Sequence, residues 1–71
     1  MKLIDADEGR SYTVTNIATH DAEFDAFLLT LGCYVGEPIT LVRRRRGVLI
    51  VLIKDAKYCI DTRLGECITV R

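Results

Sequence analysis

Leu28-Leu29-Thr30-Leu31-Gly32-Cys33-Tyr34-Val35-Gly36-Glu37-Pro38-Ile39-Thr40-Leu41 holds a helix end, a reversal and a strand start within fourteen residues, and its reading decides the fold. Upstream of the break, Phe24, Phe27, Leu28 and Leu31 recur at i, i+3, i+4 and i+7, which places four large apolar side chains on one helical face. Gly32 stands where a helix ends in a left-handed residue, a conformation open to glycine and strained for any side chain with a Cβ. Gly36 and Pro38 bend and restrict the chain before Ile39 and Leu41 open an alternating strand pattern. The architecture therefore hangs on Leu28, Leu31, Gly32, Gly36 and Ile39.

Towards the N-terminus, the helix is predicted to start at Asp21, with His20 and Glu23 as the alternative cap. Asp21, Glu23 and Asp25 put carboxylates in its first turn, where they face the positive end of the helix dipole. Arg10–Ala18 reads as a strand with Tyr12 and Val14 on one face and Thr13 and Thr15 on the other. Before it, Met1–Glu8 is a short lead-in whose Leu3 and Ile4 can cover one end of a core. Towards the C-terminus, strands are predicted over Ile39–Arg45, Val48–Lys54, Lys57–Asp61 and Cys67–Arg71, with turns at Arg46-Gly47 and Asp55-Ala56. Thr62–Glu66 reads as one turn of 3₁₀ helix. Five short strands, with one α-helix inserted between the first and second, predict a mainly β protein closed into a small β barrel, because closure removes edges that so short a sheet cannot protect.

Seventy-one residues, nearly half of them apolar and one of them proline, describe one small globular domain over residues 1–71, with no room for a deep substrate cleft. Formal net charge is zero, yet Met1–Glu37 holds two basic and seven acidic residues while Pro38–Arg71 holds eight basic and three acidic. That asymmetry favours an oriented contact with a charged partner and leaves self-association into a homo-oligomer open. Asp5, Asp7 and Glu8 interrupt any leader-like apolar run, and the longest apolar run, Val48–Ile53, has six residues against the roughly 20 that a spanning helix needs. The expectation is a cytoplasmic protein that does not insert into the membrane.

Four consecutive arginines, Arg43, Arg44, Arg45 and Arg46, are the most conspicuous charged feature. With Ile39 and Leu41 pointing inward, a period of two would also bury Arg43 and Arg45, so the strand must leave the core by about Val42. Arg43–Gly47 would then stand clear of the barrel as a basic hairpin tip that reaches acidic side chains, phosphates or headgroups. Binding of nucleic acid through this tip is disfavoured, because no aromatic residues interleave with the arginines and the chain is not basic. Val48–Ile53 is apolar at both parities and needs cover on both sides, from the chain's own helix or from a partner.

Cys33, Cys59 and Cys67 cannot all pair with one another, and with His20 they are the weak candidates for an iron or other transition-metal site, although their irregular spacing supports no cofactor. No serine elbow, phosphate-cradling glycine loop or cysteine–base motif is present, so no catalytic residues are assigned and the chain is not read as an enzyme.

These residues together resemble the FeoA-like family, small SH3-like proteins of bacterial ferrous iron transport. Leu3 and Asp7-Glu8-Gly9 resemble the family's opening, Leu28-x-x-Leu31-Gly32 its helix-ending motif and Gly36-x-x-Ile39 its turn into strand. Ile60, Ile68 and Val70 are similar to its closing pattern, in which Gly65 takes the place of a small alanine. The resemblance implies an SH3-like barrel and a non-enzymatic accessory that contacts the GTPase region of the membrane iron permease. The same fold serves as a tail domain of iron-dependent repressors, so a nucleic-acid-binding barrel and a metal-responsive module through Cys33, Cys59, Cys67 and His20 are the alternatives.

Overall fold

In the computed structural model, which describes residues 1–71, a short 3₁₀ turn at Leu3–Asp5 precedes β1, Arg10–Ile17. α1, Ala22–Leu31, follows, and then β2, Pro38–Arg45; β3, Val48–Ile53; β4, Ala56–Asp61; α2, Thr62–Cys67; and β5, Ile68–Val70. The strands form one antiparallel sheet in the order β4-β3-β2-β1-β5. The helix lies between the first and second strands, as the pattern predicted.

Capping sets both ends of α1. Asp21 is extended, and its Oδ1 accepts the N–H groups of Glu23 at 2.9 Å and Phe24 at 3.4 Å, satisfying donors that a helix start leaves free. At the other end Gly32 takes φ 87°. Its N–H donates to Leu29 O at 3.0 Å while that of Cys33 donates to Leu28 O at 2.9 Å. This pair of bonds closes a helix in a Schellman motif, and the accompanying apolar contact comes from Leu28 and Cys33, both buried.

The core consists of fourteen residues, and the strands supply most of it through alternate inward positions: Ile39 and Leu41, then Leu49, Val51 and Ile53, then Ile60, Ile68 and Val70. Leu3 and Ala6 of the lead-in and Leu64 of α2 fill one end. One departure from expectation concerns α1. Of the four apolar residues aligned on α1, Leu28 is 1% exposed and Leu31 packs partly against the core, but Phe24 and Phe27 are 47% and 44% exposed. Only one row of the helix enters the core.

Three local expectations are also corrected. Thr62–Cys67 is a turn and a half of α-helix, started by Asp61 Oδ1 accepting from Arg63 N at 2.7 Å. The β3–β4 turn is Lys54-Asp55 rather than Asp55-Ala56, because keeping Ile53 inward pairs it with Ala56 and leaves a two-residue loop. Both loop residues take positive φ, 50° and 67°, which matches the twist of the flanking strands. Finally, α1 lays no extended contact along β3, so Val48, Ile50 and Leu52 on its outer side are half-buried and the helix does not cover them.

Candidate interaction surface

The arginine run meets the parity problem through a β-bulge at the residue where the strand was expected to leave the core. Leu41 pairs with Val51 but Arg43 pairs with Ile50, so Val42 is an extra residue in β2. The slip exchanges inward and outward positions beyond it. Arg43 and Arg45 now lie opposite the outward Ile50 and Val48, while Arg44 lies opposite the fully buried Leu49. The expected free-standing finger is therefore corrected: pairing continues to Arg45 and Val48, and only Arg46-Gly47 turns beyond the sheet.

Arg44 has a separate task from its neighbours. Turned inward at the rim of the core, its guanidinium donates from Nε to Ile4 O at 3.1 Å, from Nη2 to the same oxygen at 2.8 Å, and from Nη2 to Ala6 O. Its backbone N–H donates to the Glu8 carboxylate at 2.7 Å. One side chain thus supplies donors for the carbonyls of Ile4 and Ala6, beyond the Lys2–Thr69 bridge that ties the start of the lead-in to β5. Arg43, Arg45 and Arg46 are exposed and join none of the ion pairs in the molecule, which are Arg10–Asp7, Lys54–Glu37 and Arg63–Asp61. Of the four arginines, three remain available to a partner.

Lys57 belongs to the same basic surface, and sequence reasoning missed it. It sits on β4 opposite the outward Leu52 and is exposed. Lys54 was also missed, but it is occupied elsewhere. Its ammonium binds the Glu37 carboxylate and lies 5.4 Å from the centre of the Tyr34 ring, and its stem crosses Gly32, where a Cβ would come within 2.9 Å of Cε. The Glu37 hydrogen bond holds the Lys54 pKa above its ordinary value. These contacts tie the end of α1 to the β3–β4 hairpin.

The four metal candidates are dispersed. Cys33 is buried, Cys59 and His20 are exposed, and Cys67 is half-buried with its Sγ directed at Arg63 O, 3.3 Å away. Nowhere do three His, Cys, Asp or Glu side chains converge on a point that could hold an ion, so these residues do not fit a transition-metal centre. Burial pushes the Cys33 thiol up to about 11, which keeps it protonated and unreactive near neutrality. Asp61 is held below the usual carboxylate range by its hydrogen bonds with Arg63.

The arrangement is one of surface charge on a small sheet, and the family comparison agrees with the fold. The family model for the FeoA domain matches residues 1–71. The chain belongs to the FeoA family. A crystal structure of an iron uptake regulatory protein, FeoA, is similar to it with a TM-score of 0.90 at 21% identity, over 100% of this chain and 95% of that one. The solution structure of FeoA from Chlorobium tepidum gives 0.91 at 23% identity, over 100% and 69%. A manganese-dependent transcriptional repressor gives 0.90 at 21% identity, over 99% of this chain but 40% of the repressor. At these identities the likenesses establish the SH3-like fold, which this FeoA domain shares with part of a larger regulator. A search of curated proteins found no match. No helix of the chain is long and apolar enough to cross a membrane.

Proposed function

We propose that this FeoA domain is a cytoplasmic, non-enzymatic accessory of ferrous iron transport that acts by binding the GTPase region of the membrane iron permease. The observation that carries the reading is the family match over residues 1–71 together with basic residues at the β2–β3 hairpin end that join no internal ion pair. Arg43, Arg45 and Arg46 are the contact residues, and Arg44 supports them from behind by holding the lead-in. Contacts of exposed guanidinium groups with carboxylates steer association and weaken with salt.

The test is capture of the purified GTPase region of the permease from the same genome by the full chain, followed by titration with salt. Binding is expected at low ionic strength, with about a tenfold or greater loss on Arg43→Glu combined with Arg45→Glu and Arg46→Glu. Absence of a complex at about 100 µM of each protein, where even weak transient contacts register, would remove the proposal. A salt-dependent gel shift with a DNA duplex and no binding to the permease would move the reading to nucleic acid.

A further inference from the structure

The register of β2, β3 and β4 places an apolar column between cationic side chains on the outer side of the sheet. β3 contributes the column, Val48, Ile50 and Leu52, all half-buried and turned away from the core residues Leu49, Val51 and Ile53. Pairing sets Arg45 beside Val48 and Arg43 beside Ile50 on β2, and it sets Cys59 beside Ile50 and Lys57 beside Leu52 on β4. Arg43, Arg45 and Lys57 are exposed and join no ion pair, and neither does Arg46 at the hairpin turn next to them. Asp61, beside Val48, is the one acid that these three strands turn to this side, and Arg63 already holds it. Glu8, at the margin of β2, is engaged by the backbone N–H of Arg44.

Four unpaired positive charges therefore gather on one side of a chain whose formal net charge is zero, and the rest of the molecule carries the matching excess of negative charge. An anionic surface attracts such a chain in one orientation only. The complementary surface must also accept the apolar column. A nucleic acid offers phosphates with no apolar layer and would leave Val48, Ile50 and Leu52 in water. An anionic bilayer offers both, phosphates at the level of the guanidinium and ammonium groups and the acyl boundary beneath them, and the long stems of arginine and lysine let their heads remain with the phosphates while the shorter apolar side chains settle between them.

We infer that the outer β2–β3–β4 surface docks on an anionic lipid bilayer, with Arg43, Arg45, Arg46 and Lys57 on lipid phosphates and Val48, Ile50 and Leu52 against the boundary between headgroups and acyl chains. The domain lies on the membrane in this contact, and none of its helices is long and apolar enough to cross. Each basic residue held near an anionic leaflet strengthens attachment roughly fivefold, so four of them give a reversible, salt-sensitive contact. The lipid contact does not rest on the proposed permease contact. The two share Arg43, Arg45 and Arg46 and compete for one face, whereas Lys57 belongs to the lipid contact alone.

Co-sedimentation of the full chain with vesicles tests this, using phosphatidylcholine alone and phosphatidylcholine with about 40% phosphatidylglycerol, at about 2 mM lipid and about 50 mM salt. The chain is expected to sediment with the anionic vesicles only and to be released at about 0.5 M salt. Arg43→Gln and Lys57→Gln should each lower the partition coefficient about fivefold, and Arg43→Gln, Arg45→Gln and Lys57→Gln combined about 100-fold. Ile50→Thr, which keeps a β-branched residue in the strand, should lower it about three- to fivefold with no change in charge. Arg71→Gln makes the same charge change beyond β5, outside this face, and should stay within about twofold of the parent. The glutamine variants alter exposed side chains, so the test stands even if Ile50→Thr fails to fold. Absence of binding to the anionic vesicles, equal binding to the neutral ones, or a loss in Arg71→Gln as large as in Lys57→Gln each overturns the inference, and so does capture by a DNA duplex without binding to vesicles. The vesicles hold no permease, so this result and that of the permease capture assay stand or fall separately.

Discussion

Replacing each arginine of the run singly should divide four chemically identical residues into one that holds the fold and three that do not. Arg44→Ala removes the guanidinium donors from Ile4 O and Ala6 O and loosens that part of the lead-in, whose start stays bridged to β5. Hydrogen bonds to a charged partner contribute about 1.5–3 kcal/mol when sheltered. Arg44 is exposed, so solvent competition reduces its contacts to about 1–2 kcal/mol in total. For a chain of this size that corresponds to a fall in melting temperature of about 5–15 °C. Arg43→Ala, Arg45→Ala and Arg46→Ala should each remain within about 0.5 kcal/mol of the parent. Arg44→Lys retains the charge but not the planar fork that serves two carbonyls, so it should recover only a minor part of the loss. Thermal melts followed by far-ultraviolet circular dichroism at one protein concentration provide the measurement. Four equal melting temperatures, or full recovery with lysine, would refute the assignment of Arg44 to the lead-in.

Gly65→Ala would place a Cβ 2.4 Å from Leu49 Cδ1, and Leu49 is fully buried in the core. Overpacking of about 1–3 kcal/mol outweighs the roughly 0.5–1 kcal/mol that alanine gains in a helix, so urea denaturation should show net destabilisation. Leu28→Ala should cost about 2–5 kcal/mol, whereas Phe27→Ala, on the same predicted face, should cost under about 0.5 kcal/mol in dilute solution, measured by the same unfolding curves. Ellman's reagent near neutral pH should modify Cys59 first and Cys67 more slowly, while Cys33 reacts only on unfolding. Because the Cys33 pKa rises from 9.0 to about 11 on folding, the native state holds the proton more tightly than the unfolded chain. Stability should therefore fall as pH rises across that interval. Lys54 adds a loss above its ordinary value of 10.5, so a flatter profile in Cys33→Ala isolates the thiol.

Local chemistry made much of this fold legible. The Asp21 cap, the Gly32 stop and the alternation of Ile39–Leu41 depend on neighbours within a few residues, and each lies where the pattern placed it. The β3–β4 turn shifted by one residue because the loop is set by pairing between strands, which no residue shows alone. The expected 3₁₀ turn lengthened into α2 because Asp61 caps it and Gly65 allows it to rest on Leu49.

The arginines mark the boundary most clearly. Period two in the sequence was sufficient to require a break in β2 near Val42, since two guanidinium groups cannot enter an apolar core. Whether that break would be a departure from the sheet or a bulge depended on β3 and β4 continuing to pair alongside it, and only the folded chain decides that. The same holds for α1, whose four-residue apolar face was correctly read as a helix signal and wrongly read as a buried surface. Periodicity determines which side chains share a face, because it follows from backbone geometry; how much of that face enters the core depends on how the helix seats against strands distant in sequence, and here only Leu28 is fully enclosed.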